Sequence, residues 1–437
     1  MPEQPSRRQF LIGAGAAVAS GAVALTVARH RWADAATHRP AASPAATGSS
    51  TAKGRILVLV TLYGGNDGLN TVIPTGDPAY QAGRPTLGYP AEQLLPLGDG
   101  LGLHPNLKGM KALWDRHQLA IVRGVGYPNP IRSHFRSMDI WQSASPDTVL
   151  ATGWLGRWLD ATGRDPMRAL SIGTTLPLAL VGEQSFGTAI GTGGVTLTGG
   201  GQVTGALGGL WAPGSDRQGL AGQVASAGSD LLTVQHDLAS LLRAATSTAA
   251  AGAGSNHLEI SPTTAAAGAT SPAGAATAAN PLAAQLDLVA RLVRAGAPTQ
   301  VYQVSLGGFD NHAAEKDVHA RLLGQLDEAV SGFFDSLGRD PHGQGVVLMT
   351  VSEFGRRVAE NASGGTDHGT ASPLFVAGVP VKGGQFYGDE PSLTDLDAGD
   401  LRFTTDFRAV YATVLGQVVG VDPAKIITGA PAPLAFL

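Results

Sequence analysis

Arg55-Ile56-Leu57-Val58-Leu59-Val60-Thr61-Leu62-Tyr63-Gly64-Gly65-Asn66-Asp67-Gly68 is the stretch that decides the fold. Residues 55–62 form a continuous β-branched and leucine run, which suits a central strand covered on both faces. A glycine turn and a carboxylate follow at once. The arrangement recurs downstream. Asp310 and His312 follow the apolar run Gln300–Leu306, and Glu353 follows Val346–Val351. Asp367 and His368 precede the strand-like segment Pro373–Ala377. Between these runs lie helical patterns at Leu107–His117, Arg132–Ser143, Leu155–Ala161, Leu220–Arg243, Leu282–Ala295, Ala313–Leu337 and Thr405–Val419, with a further strand at Leu119–Gly124. Strands alternating with helices predict an α/β fold, a mostly parallel sheet with helices on both faces. In the longest helix, Val318, Leu322, Leu326, Val330, Phe333 and Leu337 fall at helical spacing.

The chain has 437 residues, enough for one large α/β domain or two smaller ones. Its hydrophobic fraction of 43% supplies a core, and 60 glycines signal many turns. With a net charge of -4, nothing in the sequence resembles a nucleic-acid binder, which would show a clustered basic face. With no cysteine, disulfides, thiolate metal sites, cysteine nucleophiles and a lipidated cysteine are excluded.

Residues 1–36 read as a twin-arginine signal peptide: Ser6-Arg7-Arg8-Gln9-Phe10-Leu11, a Gly/Ala-rich apolar stretch, then Ala33-Asp34-Ala35 as a cleavage site. The expected location is the periplasm, cell surface or exterior, with the twin-arginine translocase as partner during export. Retention of the segment as an anchor is the alternative. Residues 37–53 read as a disordered linker and residues 54–437 as the folded domain. Gly/Ala-rich insertions are expected near residues 187–209, where no helical period shows, and 244–280, a flexible surface stretch.

Each motif has two readings. Asp67 is a metal ligand at a strand end, or part of a turn capping the next helix, with Gly64 and Gly65 admitting a ligand close to the backbone. Ser133 is a helix N-cap or a nucleophile at the positive end of a helix. His134 adjoins it, and Arg132 or Arg136 would hold an anionic group bidentately. Asp310 caps a helix or ligates a metal with His312. Glu353 pairs with Arg356 or Arg357, or with a metal, because an unpaired buried carboxylate is costly. His368 is a ligand or base that Asp367 orients. His104, His117, His319 and His342 read as structural. Oxygen and nitrogen donors together suit a divalent transition metal, with zinc or manganese expected.

LYGGNDGLNTVIP, YQAGRPTLG, LHPNLKGMKALW, RSHFRSMDIWQSA, GWLGRWLD, SLGGFDNHA, TVSEFGRRVAEN and GTDHGTASPLFVAG together resemble the family called domain of unknown function 1501. That family is in turn similar to the alkaline phosphatase and sulfatase superfamily. The resemblance implies an alkaline phosphatase-like sandwich and a secreted metallohydrolase of phosphate or sulfate esters. In its terms Asp67 matches the first ligand, Ser133 lies at the nucleophile position, and Asp310, His312 and His368 match later ligands. Asp67, Glu353 and His134 would hold one metal near Ser133. Asp310, His312 and His368 would hold the other, with Arg132 or Arg136 neutralising developing charge. Glu353-Phe354 stands where the superfamily usually has an Asp–His pair. A non-catalytic cell-envelope binding or assembly protein is the competing expectation. The expected partner is thus a small anionic ester or an envelope component, and no nucleic acid.

Overall fold

The computed structural model describes residues 55–193, 200–211, 219–252 and 280–437. Signal, linker and most of the second insertion fall outside the described residues. Nine strands form the main sheet: β1 (Ile56–Tyr63), β2 (Leu119–Gly126), β3 (Ala169–Ile172), β4 (Thr188–Ile190), β5 (Val301–Gly307), β6 (Val346–Ser352), β7 (Ser372–Ala377), β8 (Gln385–Tyr387) and β9 (Thr405–Asp406). Their order is β8-β2-β7-β6-β1-β5-β3-β4, with β9 also paired to β2. Every pairing is parallel except the two made by β7.

The quoted run becomes the middle of this sheet. β1 lies between β5 and β6, with Leu57 opposite both Val301 and Val347. Successive side chains of a strand face opposite ways, so β1 feeds two cores. Val58, Val60 and Leu62 pack with helices Lys108–Asp115, Pro281–Arg294 and Glu315–Leu337. Leu57 and Leu59 pack with helices His134–Ser143, Trp154–Thr162 and Phe407–Gln417. The expected α/β fold with both faces covered is the observed one. Because β1, β5 and β6 run the same way, the loops after Tyr63, Gly307 and Ser352 emerge at one edge. That edge is where an open parallel sheet places ligands.

The first insertion is partly structured, contrary to expectation. Thr188–Ile190 adds a parallel strand to β3, and Gly200–Trp211 is a helix. This helix has a glycine-rich sequence and gains its order from a neighbour. Trp211 lies so close over Gly228 of the Gly219–Gly252 helix that an added Cβ would meet the indole at 2.2 Å. The Gly219–Gly252 helix also runs past Arg243 into the second insertion. The run there is alanine-rich, and alanine has the highest helix propensity. Among the described residues no helix is long and apolar enough to cross a membrane.

Candidate metal centre

The Gly64-Gly65 turn sets how tightly the strand-end loops meet. Both glycines have positive φ, 118° and 79°. A Cβ on Gly64 would sit 2.4 Å from the backbone nitrogen of Asp310, and one on Gly65 would sit 2.3 Å from the Phe354 ring. The glycines therefore admit neighbouring loops, rather than a ligand as the sequence suggested.

Four of the six predicted ligands converge beyond this turn. Asp310 Oδ1 lies 2.9 Å from His312 Nε2 and 3.0 Å from His368 Nε2. The two imidazole nitrogens are 2.9 Å apart. Asp310 Oδ2 lies 3.4 Å from His134 Nε2. Asp310 caps no helix, since the following one begins at Glu315. His134 is carried by the start of the His134–Ser143 helix, and His368 by a short strand, Thr366–His368, paired to Arg356–Glu360.

Hydrogen bonds on the far side of two rings assign their tautomers. His368 Nδ1 is 2.8 Å from the carbonyl oxygen of Arg132, and His134 Nδ1 is 3.0 Å from Glu353 Oε1. Both partners only accept, so each Nδ1 carries a proton and donates it. Each Nε2 then faces the Asp310 carboxylate, and a proton on the ring or a metal ion between the two makes the contact favourable. His134, Asp310 and His368 offer ligand atoms within 4.8 Å of one another, and His312 Nε2 stands 2.9 Å from both Asp310 and His368, so these nitrogen and oxygen donors suit a divalent transition metal. The cluster is open to solvent, with Asp310 47% and His312 45% exposed.

Asp310 is held as an anion. Burial alone would raise its pKa, but contact with His368 and the Arg356 guanidinium outweighs that and holds it at about 2. Arg356 is almost fully buried. It donates to the carbonyls of Gly65 (2.8 Å), Thr366 (2.9 Å), Gly64 (2.5 Å) and Phe309 (2.8 Å), and to Asp310 Oδ1 (2.9 Å). One guanidinium thus ties three loops together. Sequence reasoning offered Arg356 only as a partner for Glu353.

The other predicted site residues take different places. Asp67 lies outside the cluster: both carboxylate oxygens bind Arg84, one at 2.9 Å, and both side chains are buried. Desolvation demands a counter-charge for such a carboxylate, and the arginine that follows helix Pro78–Gly83 supplies it. Glu353 positions His134 rather than joining the cluster. Its Oε1 accepts from His134 Nδ1 and from the Gly64 amide at 2.7 Å, and its buried Oε2 has no hydrogen-bond partner. Phe354 forms an apolar wall, its ring centroid 5.0 Å from His134 and 4.5 Å from His368. Asp367 stands 3.6 Å from His312 Nδ1, beside His312 rather than His368. Arg132 binds Asp400, with Nε at 2.7 Å, so it is already engaged, whereas Arg136 donates to the Pro146 carbonyl at 3.1 Å and keeps a buried Nη1 without a hydrogen-bond partner. Ser133 is exposed at the N-cap of the His134 helix, and its hydroxyl caps no amide.

A second polar group lies deeper. Asp67, Glu315 and His319 offer ligand atoms within 4.8 Å of one another, all buried. His319 Nε2 is 3.0 Å from Asn66 Oδ1, and Glu315 accepts from Thr366 Oγ1 at 2.7 Å. Sequence reasoning placed His319 on a helix face as structural and passed over Glu315. The available signal was their spacing of four residues, which puts both on one side of a helix.

The family read from the motifs is borne out. The family model described as "Protein of unknown function (DUF1501)" matches residues 220–431, a span holding Asp310, His312, Glu353 and His368. No curated protein matches the chain. Similar solved structures include that of Ps i-CgsB, at 8% identity and TM-score 0.35, covering 86% of this chain and 75% of that one. A protein in the alkaline phosphatase superfamily from Vibrio parahaemolyticus is 12% identical with TM-score 0.33, covering 77% of this chain and 63% of that one. The C-terminal periplasmic domain of EcEptC from Escherichia coli, in complex with zinc, is 11% identical with TM-score 0.33, covering 91% and 87%.

Proposed function

We propose that the chain is an exported, metal-dependent hydrolase of phosphate or sulfate esters, with His134, Asp310, His312 and His368 holding one divalent metal. The observation that carries this reading is the convergence of imidazole nitrogens on a single ionised carboxylate at the sheet edge. Such a mixed nitrogen and oxygen set suits zinc or manganese. When bound, the ion would polarise the ester and lower the pKa of the attacking group.

The chain's own residues prepare that chemistry. Arg356 fixes the Asp310 carboxylate and keeps it charged. Glu353 accepts a hydrogen bond from His134 Nδ1, and the Arg132 carbonyl accepts one from His368 Nδ1, so both rings turn Nε2 inward. Hydrogen bonds on the far side of a ligating ring fix its orientation. Phe354 shields the inner side of both rings. Ser133 supplies an uncommitted hydroxyl beside His134, at the positive end of a ten-residue helix. The exposed faces of Asp310 and His312 admit an anionic ester from solvent. The twin-arginine motif supports export through that translocase, to the periplasm or beyond.

A second reading has its own support. Arg84 takes both oxygens of Asp67, Asp400 takes Arg132, and the Pro146 carbonyl takes Arg136. A site with Arg84 and Arg132 committed elsewhere fits a protein that binds a cell-envelope component without turnover.

Elemental mass spectrometry of the purified mature chain, beside an Asp310→Ala/His368→Ala double variant, tests the site. Stoichiometric zinc, manganese or iron that disappears in the variant supports the metal centre. Turnover of phosphate or sulfate esters, abolished by Ser133→Ala, then supports the hydrolase. A metal-free wild type after reconstitution sinks that reading and leaves the binding protein.

A further inference from the structure

We propose that Arg84 is a built-in cation that fills a divalent-metal donor set made of Asp67, Glu315 and His319, so that the chain holds one metal ion rather than two. The count of one rests on the outer centre proposed above; the role of Arg84 does not.

The three residues lie at ligand spacing and are buried. A guanidinium already sits on the Asp67 member of this set. Arg84 grips both oxygens of Asp67 and is itself fully buried. Two further donors reach the carbonyl oxygens of Val358 at 3.0 Å and Arg357 at 2.7 Å. The guanidinium is thus held by four hydrogen bonds and shielded from solvent.

The Asp67 carboxylate faces the Arg84 guanidinium directly, so positive charge already stands where an ion would supply it. The group also touches the outer centre through the chain: Thr366, bonded to Glu315, accepts from Arg356, which holds Asp310. Arg84 thus supplies, without an ion, the positive charge that keeps the inner side of the site in order.

The test counts zinc in the full mature protein, loaded with zinc and then dialysed. Wild type should bind one equivalent and Arg84→Ala two. Arg84→Ala/His319→Ala should return to one by losing the inner ion, and Arg84→Ala/His368→Ala to one by losing the outer. The melting temperature of Arg84→Ala should fall and recover on adding zinc, because an ion that binds only the folded state stabilises it. That recovery should be absent when His319 is also replaced. A folded Arg84→Ala that binds no more zinc than wild type overturns the proposal. If Arg84→Ala does not fold, Glu315→Gln decides: it should leave the wild-type count unchanged, and loss of an equivalent would show that Glu315 already ligates an ion. A metal-free wild type with one equivalent in Arg84→Ala would sink the outer centre and leave this inference standing.

Discussion

Replacing Arg356 by alanine tests whether one buried guanidinium organises the site. Three of its acceptors, the carbonyls of Gly65, Phe309 and Thr366, are buried. An orphaned buried acceptor costs about 1–3 kcal/mol, so three cost about 3–9 kcal/mol if none finds another partner. The Gly64 carbonyl and Asp310 lie nearer solvent, with Asp310 47% exposed, and water entering from that side will satisfy part of the set. The expected loss is therefore in the lower half of the range, about 3–5 kcal/mol, which is large for a single substitution. Arg356→Lys keeps the charge but offers it from one point instead of a planar fork, so it should recover only part of the loss. Urea denaturation followed by circular dichroism gives the difference from the midpoint shift at constant slope. Metal content read on the same samples should fall with Arg356→Ala, because Asp310 loses the donor that orients it. A loss below about 1 kcal/mol with metal binding intact would refute the idea that Arg356 holds the three loops together.

Two further outcomes follow from the same contacts. Glu353→Gln should weaken zinc binding about 10–100-fold without unfolding the protein, the usual cost of removing a carboxylate behind a ligating imidazole; equal affinity in a competition titration would remove Glu353 from its positioning role. Stability should also pass through a maximum near pH 6.5. Burial raises Glu315 from 4.5 to about 9, so its contribution is complete below about 4.5 and fades as pH rises towards 9. Burial lowers His319 and His104 from 6.5 to about 4 and about 3, so their contributions are complete above about 6.5 and fade as pH falls through those values. Urea midpoints from pH 5 to 9 check this, and a Glu315→Gln protein that keeps the alkaline decline would rule out Glu315 as its source.

Much of the architecture is legible because periodicity and strand ends are local signals. The apolar runs at residues 55–62, 300–306 and 346–351 became β1, β5 and β6 within a residue or two, and the stripe from Val318 to Leu337 packs into one core. Direction and partnership are not local. Nothing in Ser372–Ala377 shows that it runs antiparallel to both neighbours. Three-residue strands such as Gln385–Tyr387 carry too few positions for a period to show. The same divide runs through the site. Asp310, His312 and His368 were found because acid and histidine after glycine at a strand end is a local pattern. The fate of Asp67 depends on an arginine 17 residues away, and that of Glu353 on a histidine 219 residues away. In both cases residue type narrowed the choice to metal or counter-charge, and only packing decided it.

Asp67 and Asp310 began as the same signal, a carboxylate just beyond a central strand, and the structure resolves them oppositely. The cause is depth. Beyond the Gly64-Gly65 turn Asp67 lies inside, where its side chain is 1% exposed, and a lone carboxylate there is far too costly to keep. A guanidinium bonded to that carboxylate and to two backbone carbonyls is a permanent remedy, since it neither dissociates nor titrates at any ordinary pH. Asp310, nearly half exposed, needs no such permanence, and water can share its solvation. It can therefore face histidines across contacts that a proton or an exchangeable cation makes favourable. The turn that buries one carboxylate is also what brings the other close, because only glycine at position 64 lets the Asp310 backbone approach. One local feature thus divides the strand ends into an inner, self-neutralised half and an outer half free to take a ligand.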